Sequence, residues 1–229
     1  QAEDGIRDIG VTEVQTCALP IFVGSSGSGK STIVDLMLGI LEPEAGTIFF
    51  NSRTPRQIIS EAPGVLAFVP QKIVIANQTI RENMALGFEE DQFSEADYWD
   101  SLRKAQLDSF VKGLPERLET KLGPGGVELS GGQIQRLGLA RALISKPRVI
   151  ILDEATSALD GKTEFLITEA LEKLSGSVSL VVIAHRFSTI KNFEKIMYFK
   201  DGSLIGSGNF QELINRFPDL AEQAELMKI

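Results

Sequence analysis

Cysteine, histidine and long hydrophobic runs are scarce or missing in this chain of 229 residues. One cysteine, Cys17, excludes an intramolecular disulfide and fits a reducing compartment. No run of about 18 apolar residues occurs, so no segment has the pattern of a membrane-spanning helix. Asp and Glu total 31 against 23 Lys and Arg, and the net charge of −8 disfavours nucleic acid as a partner, because such partners favour basic surfaces. The length allows one large α/β domain or a domain with an inserted subdomain.

The first 21 residues differ in character from the rest of the chain. Residues 1–8 and 11–21 resemble the conceptual translation of a sequencing-library index primer, with Glu13 where the primer would encode Gly. We therefore expect residues 1–21 to be a non-native, adapter-derived segment, and exclude them from fold reasoning. The alternative is a genuine N-terminal segment. On the first interpretation, the native residues upstream of residue 22 are missing and the native part has no cysteine.

Strand-like and helix-like patterns alternate along the remainder and predict an α/β fold. Strands are predicted at residues 21–23, 47–50, 65–69, 148–153, 178–184, 195–199 and 203–206, and helices at 31–41, 94–110, 131–145, 161–174 and twice more near the end. This alternation predicts a mainly parallel sheet covered on both faces. We expect a core formed by residues 22–74 and 147–229, with an inserted α-helical subdomain at 75–146.

A glycine-rich loop follows the first predicted strand and opens the next helix. Its residues, which fit G-x-x-x-x-G-K-[ST], are Gly24, Ser25, Ser26, Gly27, Ser28, Gly29, Lys30, Ser31 and Thr32. Glycines let backbone N–H groups converge on phosphate oxygens at a helix N-terminus. The Lys30 ammonium would bind oxygen atoms of the β- and γ-phosphates, and Ser31 would ligate Mg²⁺. The alternative is a Gly/Ser turn without a ligand.

Two acidic residues end the predicted strand at residues 148–153. Burying Asp153 unpaired would be costly, so a cation partner is expected, and the residue suits a Mg²⁺ site. Glu154 suits the residue that polarises or positions an attacking water. The alternative is that the two acids are solvent-exposed at the end of a strand and bind no ligand.

A second anion-binding helix N-terminus is predicted at residues 129–133. The pentapeptide is Leu129-Ser130-Gly131-Gly132-Gln133. Its glycines and Ser130 expose backbone N–H groups at the start of a helix, as in the glycine-rich loop. The chain thus has two phosphate-binding helix ends but one nucleotide-binding loop. The alternative is an ordinary glycine-rich cap.

These motifs, in this order and spacing, resemble the ATP-binding-cassette (ABC) ATPase family from about residue 22 onward. The resemblance implies a RecA-like P-loop NTPase core and ATP with Mg²⁺ as ligands. It implies catalytic roles for Glu154, His185, Lys30 and Gln71, and metal contacts for Ser31, Gln71 and Asp153. His185 would contact the γ-phosphate, Gln71 would link the core to the helical insertion, and Asp160 would connect two sites across a dimer. Alone, His185 suggests a structural histidine and Gln71 a solvated loop residue.

The resemblance also implies partners and a location. The pentapeptide that includes Ser130, Gly131, Gly132 and Gln133 would bind ATP held by a second nucleotide-binding domain, in a head-to-tail dimer. Residues 155–160 and 183–186 are similar to exporters and lipid flippases, which implies a membrane-spanning domain fused upstream and the cytoplasmic face of the inner membrane. Residues 114–123 resemble the exporter segment that approaches the membrane domain, but Pro124 stands where exporters usually have Glu. No aromatic residue precedes Phe22 to stack on adenine. The alternative function is a soluble, non-transport ABC ATPase of DNA repair or translation.

Overall fold

The computed structural model describes residues 21–50, 52–153, 166, 169, 170, 174, 178–183 and 195–226. Its strands form one six-stranded sheet in the order β2-β3-β4-β1-β5-β6. They are β1 (Ile21–Val23), β2 (Leu66–Val69), β3 (Val149–Asp153), β4 (Ser179–Ile183), β5 (Ile196–Lys200) and β6 (Ser203–Gly208). Strands β1 to β5 are parallel, and β6 pairs antiparallel with β5. The predicted α/β fold with a mainly parallel sheet is confirmed.

The described residues include eight α-helices, six between strands and two after the last strand. They are α1 (Lys30–Met37), α2 (Pro55–Glu61), α3 (Ile80–Met84), α4 (Glu95–Lys104), α5 (Asp108–Gly113), α6 (Gly131–Leu143), α7 (Phe210–Arg216) and α8 (Pro218–Leu226). Helices α3 to α6 all lie between β2 and β3 in the sequence, where a helical insertion was expected. The exact boundaries at residues 75 and 146 stay a prediction.

Both faces of the sheet are buried. Ile150 and Leu152 belong to one apolar cluster, which also contains the buried side chains of α4 and α6. Ile151, between them, belongs to a second cluster on the other face, together with Ile33 and Val34 of α1. Successive side chains of a strand point to opposite faces, so a strand covered on both sides is apolar throughout. This is why β3 could be recognised as an uninterrupted apolar run.

Two predictions about local structure are wrong. Residues 47–50 form no strand, and Phe50 has only an isolated bridge to Arg53. Among the described strands none pairs with this segment, and a high β propensity without a partner strand does not produce a sheet. The helix predicted at 94–110 is two helices, α4 and α5, because Gln106 adopts a left-handed backbone conformation (φ 56°) that an α-helix cannot include.

Part of the chain's predicted structure is outside the described residues. The helix predicted at 161–174 is represented by residues 166, 169, 170 and 174, all helical. Within the described ranges, no helix combines the length and the hydropathy that crossing a bilayer requires.

Candidate nucleotide-binding site

The glycine-rich loop connects β1 to α1, as predicted, and its first glycine is set by a close approach of the backbone. Gly24 has φ 154°, and a Cβ at this position would overlap the carbonyl oxygen of Phe199 on β5. No residue with a side chain fits there without movement of the strand. Gly29, which precedes α1, has φ 95°, a conformation that L side chains rarely adopt. The loop therefore needs glycine at these two positions for reasons visible in its own geometry.

Lys30 is the first residue of α1 and is only 5% exposed. Its Nζ donates hydrogen bonds to the carbonyl oxygens of Gly24 and Ser25, both at 2.8 Å, and to Oγ of Ser28 at 3.2 Å. A buried ammonium group must be compensated in this way, because removing it from water is costly. The Lys30 ammonium is thus held by oxygen atoms of the glycine-rich loop itself.

The remaining residues of the loop divide into buried and exposed ones. Ser28 is buried, whereas exposed positions are Ser25, Ser26, Gly27, Ser31 and Thr32. Ser31 and Thr32 follow Lys30 in the first turn of α1, whose first N–H groups have no partner within the helix. The loop thus places the exposed Ser31 and Thr32 at a helix N-terminus, where an anion is favoured.

The five parallel strands end at the same side of the sheet, which we call the carboxyl edge. The glycine-rich loop follows β1 there, Gln71 comes two residues after β2, and Asp153 is the last residue of β3. Asp153 is half-buried and pairs in register with Ile183 at the end of β4. Because β4 lies between β1 and β3, Asp153 and the loop are separated by two strand spacings, about 10 Å. Ligands of open parallel sheets bind outside such an edge.

Three predicted site residues, Glu154, Asp160 and His185, lie outside the described residues. Glu154 directly follows Asp153, and His185 comes two positions after Ile183, the last residue of β4. Their roles stay predictions from the sequence.

The second predicted anion-binding helix end is the N-terminus of α6. Ser130 is its N-cap: the Ser130 hydroxyl accepts a hydrogen bond from the N–H of Gln133, and the Gln133 side chain accepts one from the N–H of Ser130 at 2.7 Å. Ser130 and Gly131 are exposed, and a Cβ built on Gly131 meets no atom within 4 Å. Gly132 is buried. The end of this helix of 13 residues is therefore accessible, with Ser130 and Gln133 capping each other.

Helix α6 is also fastened to the segment that follows Gln71. Nε2 of Gln135 donates to the carbonyl oxygen of Gln71 at 2.8 Å. Two turns further along, Arg141 donates through Nε to the carbonyl of Asn83 at 2.7 Å and through both terminal nitrogens to that of Val74 at 3.2 Å. Burial lowers the pKa of Arg141, but an arginine stays charged at any physiological pH. The predicted link between Gln71 and the helical insertion thus has a geometric basis in Gln135.

Sequence reasoning missed several residues of this region. Gly202, in the turn between β5 and β6, donates its N–H to the carbonyl oxygen of Ser28 at 3.3 Å, and the carbonyl oxygen of Phe199 lies close to Gly24. The pattern Asp201-Gly202 was a recognisable hairpin signal, yet no local pattern tells which loop a hairpin contacts. Arg141 and Asn83 carried no signal that separates them from other polar helix residues.

Comparison with known proteins identifies the family. The profile of the family described as ABC transporter matches residues 12–157, more than half of the chain. The chain belongs to the ABC transporter family. It is an ATP-binding ATPase domain of that family, and its predicted P-loop NTPase fold is confirmed. Residues 12–20 of the match lie outside the described residues, and the adapter origin of residues 1–21 stays a prediction.

The relatives of this ABC domain are longer than the chain. The multidrug resistance ABC transporter ATP-binding and permease protein of Lactococcus lactis subsp. lactis is 39% identical over 218 residues, which are 95% of this chain and 37% of the relative. The ATP-dependent lipid A-core flippase of Chromobacterium violaceum is 40% identical over 205 residues, 89% of this chain and 35% of the relative. A solved structure of a bacterial Atm1-family ABC exporter with ATP bound has a TM-score of 0.81 at 32% identity and covers 93% of this chain and 37% of that one. The chain thus spans little more than a third of these proteins.

Proposed function

We propose that this ABC domain binds and hydrolyses ATP to drive transmembrane transport of the exporter type. The observation that carries the proposal is the carboxyl edge of the sheet. The glycine-rich loop with its buried Lys30 lies at this edge, as do Asp153 at the end of β3 and Gln71 two residues after β2. The pentapeptide at α6 adds a second anion-binding end that a simple nucleotide-binding domain does not need.

The loop fits a triphosphate. Its backbone N–H groups at the start of α1 favour a negative charge, and Gly24 and Gly29 allow the backbone to approach closely because they have no side chain. The Lys30 ammonium, which here donates to loop carbonyls, is within the same loop and can donate to phosphate oxygens instead. Lys30 would hold the β- and γ-phosphates as a point charge.

The donor set beside the loop fits Mg²⁺. The exposed Ser31 hydroxyl, the half-buried Asp153 carboxylate and the exposed Gln71 side chain all offer oxygen atoms, which are the ligands that Mg²⁺ prefers. We propose that these three residues hold the ion together with the phosphates. When bound, Mg²⁺ would neutralise part of the charge on the phosphate oxygens.

Glu154 and His185 would complete the chemistry. Hydrolysis breaks the bond between the γ-phosphorus and the bridging oxygen, and the oxygen of water forms the new bond to phosphorus. Glu154 would orient that water by accepting a hydrogen bond from it. His185 would donate a hydrogen bond to a γ-phosphate oxygen, since a neutral imidazole can donate at one nitrogen and accept at the other.

A head-to-tail dimer follows from the two anion-binding ends. The accessible N-terminus of α6, with Ser130 and Gly131 exposed, would contact the γ-phosphate of ATP held by the loop of a second nucleotide-binding domain. A two-fold axis then makes both sites equivalent, and Asp160 would connect them. Binding of ATP would favour the closed dimer, and hydrolysis would let it reopen.

The proposed partner is a membrane-spanning domain. The L. lactis relative is named an ATP-binding and permease protein, and this chain aligns with only 37% of it, which leaves room for a permease part. We infer the cytoplasmic face of the inner membrane as the location and a lipid or lipid-linked saccharide as the cargo class. The name of the C. violaceum relative, 40% identical, supports a lipid. Nucleic acid is not an expected partner.

A Glu154→Gln variant tests the proposal. It should bind ATP as tightly as the unchanged chain, while phosphate release falls by about 10²- to 10⁴-fold, the usual contribution of a general base. Glu44→Gln, an exposed acid in a loop, should leave both quantities unchanged. Equal phosphate release by Glu154→Gln and the unchanged chain would contradict the assignment.

The transport part of the proposal needs the full-length protein in vesicles. ATP-dependent movement of a lipid or lipid-linked saccharide between leaflets, abolished by Glu154→Gln, is the expected result. Hydrolysis that persists without any membrane-spanning part in the native protein would favour the soluble DNA-repair or translation alternative, which none of the relatives described above supports.

A further inference from the structure

The turn between β5 and β6 contacts the glycine-rich loop directly. The N–H of Gly202 donates to the carbonyl oxygen of Ser28 at 3.3 Å. A Cβ built on Gly29 would lie 3.3 Å from the Cα of Gly202, so the two glycines face each other closely. The contact therefore joins backbone to backbone at the position just before α1.

The same hairpin contacts the other end of the loop through Phe199. Its carbonyl oxygen occupies the place that a Cβ on Gly24 would need, and its carbonyl carbon would lie 3.2 Å from that Cβ. The Phe199 ring packs edge-on against Phe22 of β1 with 5.1 Å between ring centroids. The hairpin thus borders the loop at Gly24, where it begins, and at Ser28 and Gly29, where it ends.

The conformation of the hairpin is defined by its turn and by its contacts with α8. Asp201 (φ 48°) and Gly202 (φ 76°) are both left-handed, as in the two-residue turns whose twist matches that of their strands. At its base, Nζ of Lys200 lies 2.7 Å from Oδ2 of Asp219 in α8, and the Tyr198 hydroxyl donates to the same oxygen at 3.1 Å. The turn is therefore defined by its own geometry and by a fastening to the C-terminal helix.

We propose that the Asp201-Gly202 turn positions the glycine-rich loop for nucleotide, and that its displacement lowers the affinity for the polyphosphate. The Lys30 ammonium is held by oxygens of Gly24, Ser25 and Ser28, and two of these residues touch the hairpin. A shift of the turn thus moves the groups that place the ammonium. The proposal rests on the proposed function, since it concerns the same site.

The test compares substitutions of Gly202 that differ in backbone tolerance. Gly202→Ala strains a left-handed position, and should raise the Kd for ATP about two- to tenfold, the range that one net hydrogen bond is worth. The rate constant kcat at saturating ATP should fall by a smaller factor than the affinity, because Glu154 lies outside the loop and is unchanged. Gly202→Asn should restore the affinity in large part, because Asn tolerates positive φ better than other side chains.

Gly46→Ala is the matched control. Gly46 has φ 79°, almost the value of Gly202, and a Cβ there meets no atom within 4 Å. It should carry the same backbone strain without any change in the Kd for ATP. An equal change in Kd for Gly46→Ala and Gly202→Ala, or an unchanged Kd in Gly202→Ala, would overturn the positioning role.

Hydrogen exchange of the unchanged chain without nucleotide provides an independent readout. If the turn supports the loop, the hydrogen-bonded amides of Gly202, Ser28 and Ile33 should open together with one common free energy. Faster, independent exchange at Gly202 would overturn the proposal even if Gly202→Ala fails to fold. Because this measurement involves no ATP, its failure is distinguishable from failure of the proposed function, which would show as absent ATP binding in the unchanged chain.

Discussion

At the scale of single residues, the buried ammonium of Lys30 is held by backbone carbonyl groups of the glycine-rich loop. Its ammonium lies 2.8 Å from two carbonyl oxygens of the loop, so the charge is compensated by dipoles that belong to the same segment. Compensation by neutral carbonyls is weaker than an ion pair with phosphate, because hydrogen bonds between charged groups are stronger. A phosphate oxygen would therefore attract the ammonium more strongly than either carbonyl oxygen does.

Replacing Lys30 with Met should weaken ATP binding while keeping an apolar side chain of similar length in a buried place. Loss of hydrogen bonds from a charged group costs about 1.5–3 kcal/mol, so the Kd for ATP should rise at least tenfold in calorimetric titrations. Lys104→Met is the control, since Lys104 lies on the surface beside Asp100. Equal affinity for Lys30→Met and the control would contradict a phosphate contact by Lys30.

At the scale of elements, reciprocal caps begin five of the described helices. The pairs are Thr54 with Gln57, Thr79 with Glu82, Ser94 with Asp97, Ser130 with Gln133 and Asn209 with Glu212. Each pair satisfies two N–H groups that a helix start leaves open, and a cap of this kind is worth about 1 kcal/mol. The spacing alone could have predicted α2 and α3, which the apolar periodicity did not reveal because both helices are short.

Asp97 of α4 forms an ion pair of 2.7 Å with Lys146, three residues after the end of α6. The Lys146 ammonium and the Ser94 hydroxyl hold the pKa of Asp97 down, at about 2. A carboxyl group whose pKa is lower in the folded than in the unfolded state stabilises the fold above its unfolded value, near 4, and this contribution disappears as the pH falls towards the folded value.

Lys146→Met should therefore raise the pKa of Asp97 towards its ordinary value and make stability less dependent on pH between about 4 and 2. Carboxyl chemical shifts during an NMR titration measure the first effect, and thermal unfolding across that range measures the second. Lys112→Met, which breaks the comparable pair with Asp108, should leave Asp97 unchanged. An Asp97 pKa that stays at about 2 without Lys146 would show that the ion pair is not the cause.

At the scale of the whole molecule, the proposed dimer makes a prediction that no single chain can show. Each composite site would use the loop of one protomer and the α6 end of the other. In a Glu154→Gln background, a dimer should retain two ATP molecules, whereas dimers of Lys30→Ala or of Ser130→Glu should retain none.

Mixing the Lys30→Ala and Ser130→Glu chains should restore retention of one ATP per mixed dimer. One composite site then has an intact loop and an intact α6 end, and the other has both defects. Differently tagged chains allow the mixed dimer to be purified and its nucleotide counted. Mixed dimers that retain no ATP, under conditions where the parent retains two, would exclude the head-to-tail arrangement.

The residues proposed to bind and hydrolyse ATP could be recognised in the sequence because the patterns that they form are local. The glycine-rich loop of residues 24–32, the two acids at the end of β3 and the pentapeptide at residues 129–133 each need particular residue types at fixed spacings on one short segment. The parallel α/β fold was predictable for a similar reason: strands buried on both faces, such as β3, must be apolar along their length. These features determined the family, which the comparison with known proteins confirms.

Contacts between segments distant in the sequence were decided only by the tertiary structure. Examples are the hydrogen bond from Gly202 to Ser28, the close approach of Phe199 to Gly24 and the hydrogen bond from Gln135 to Gln71. The first two depend on which strands are neighbours in the sheet, and the third depends on where α6 lies. Backbone groups are the same in every residue, so no side-chain pattern records where they pair. For the same reason residues 47–50 had the composition of a strand but form none, since a strand requires a partner that its own sequence does not specify.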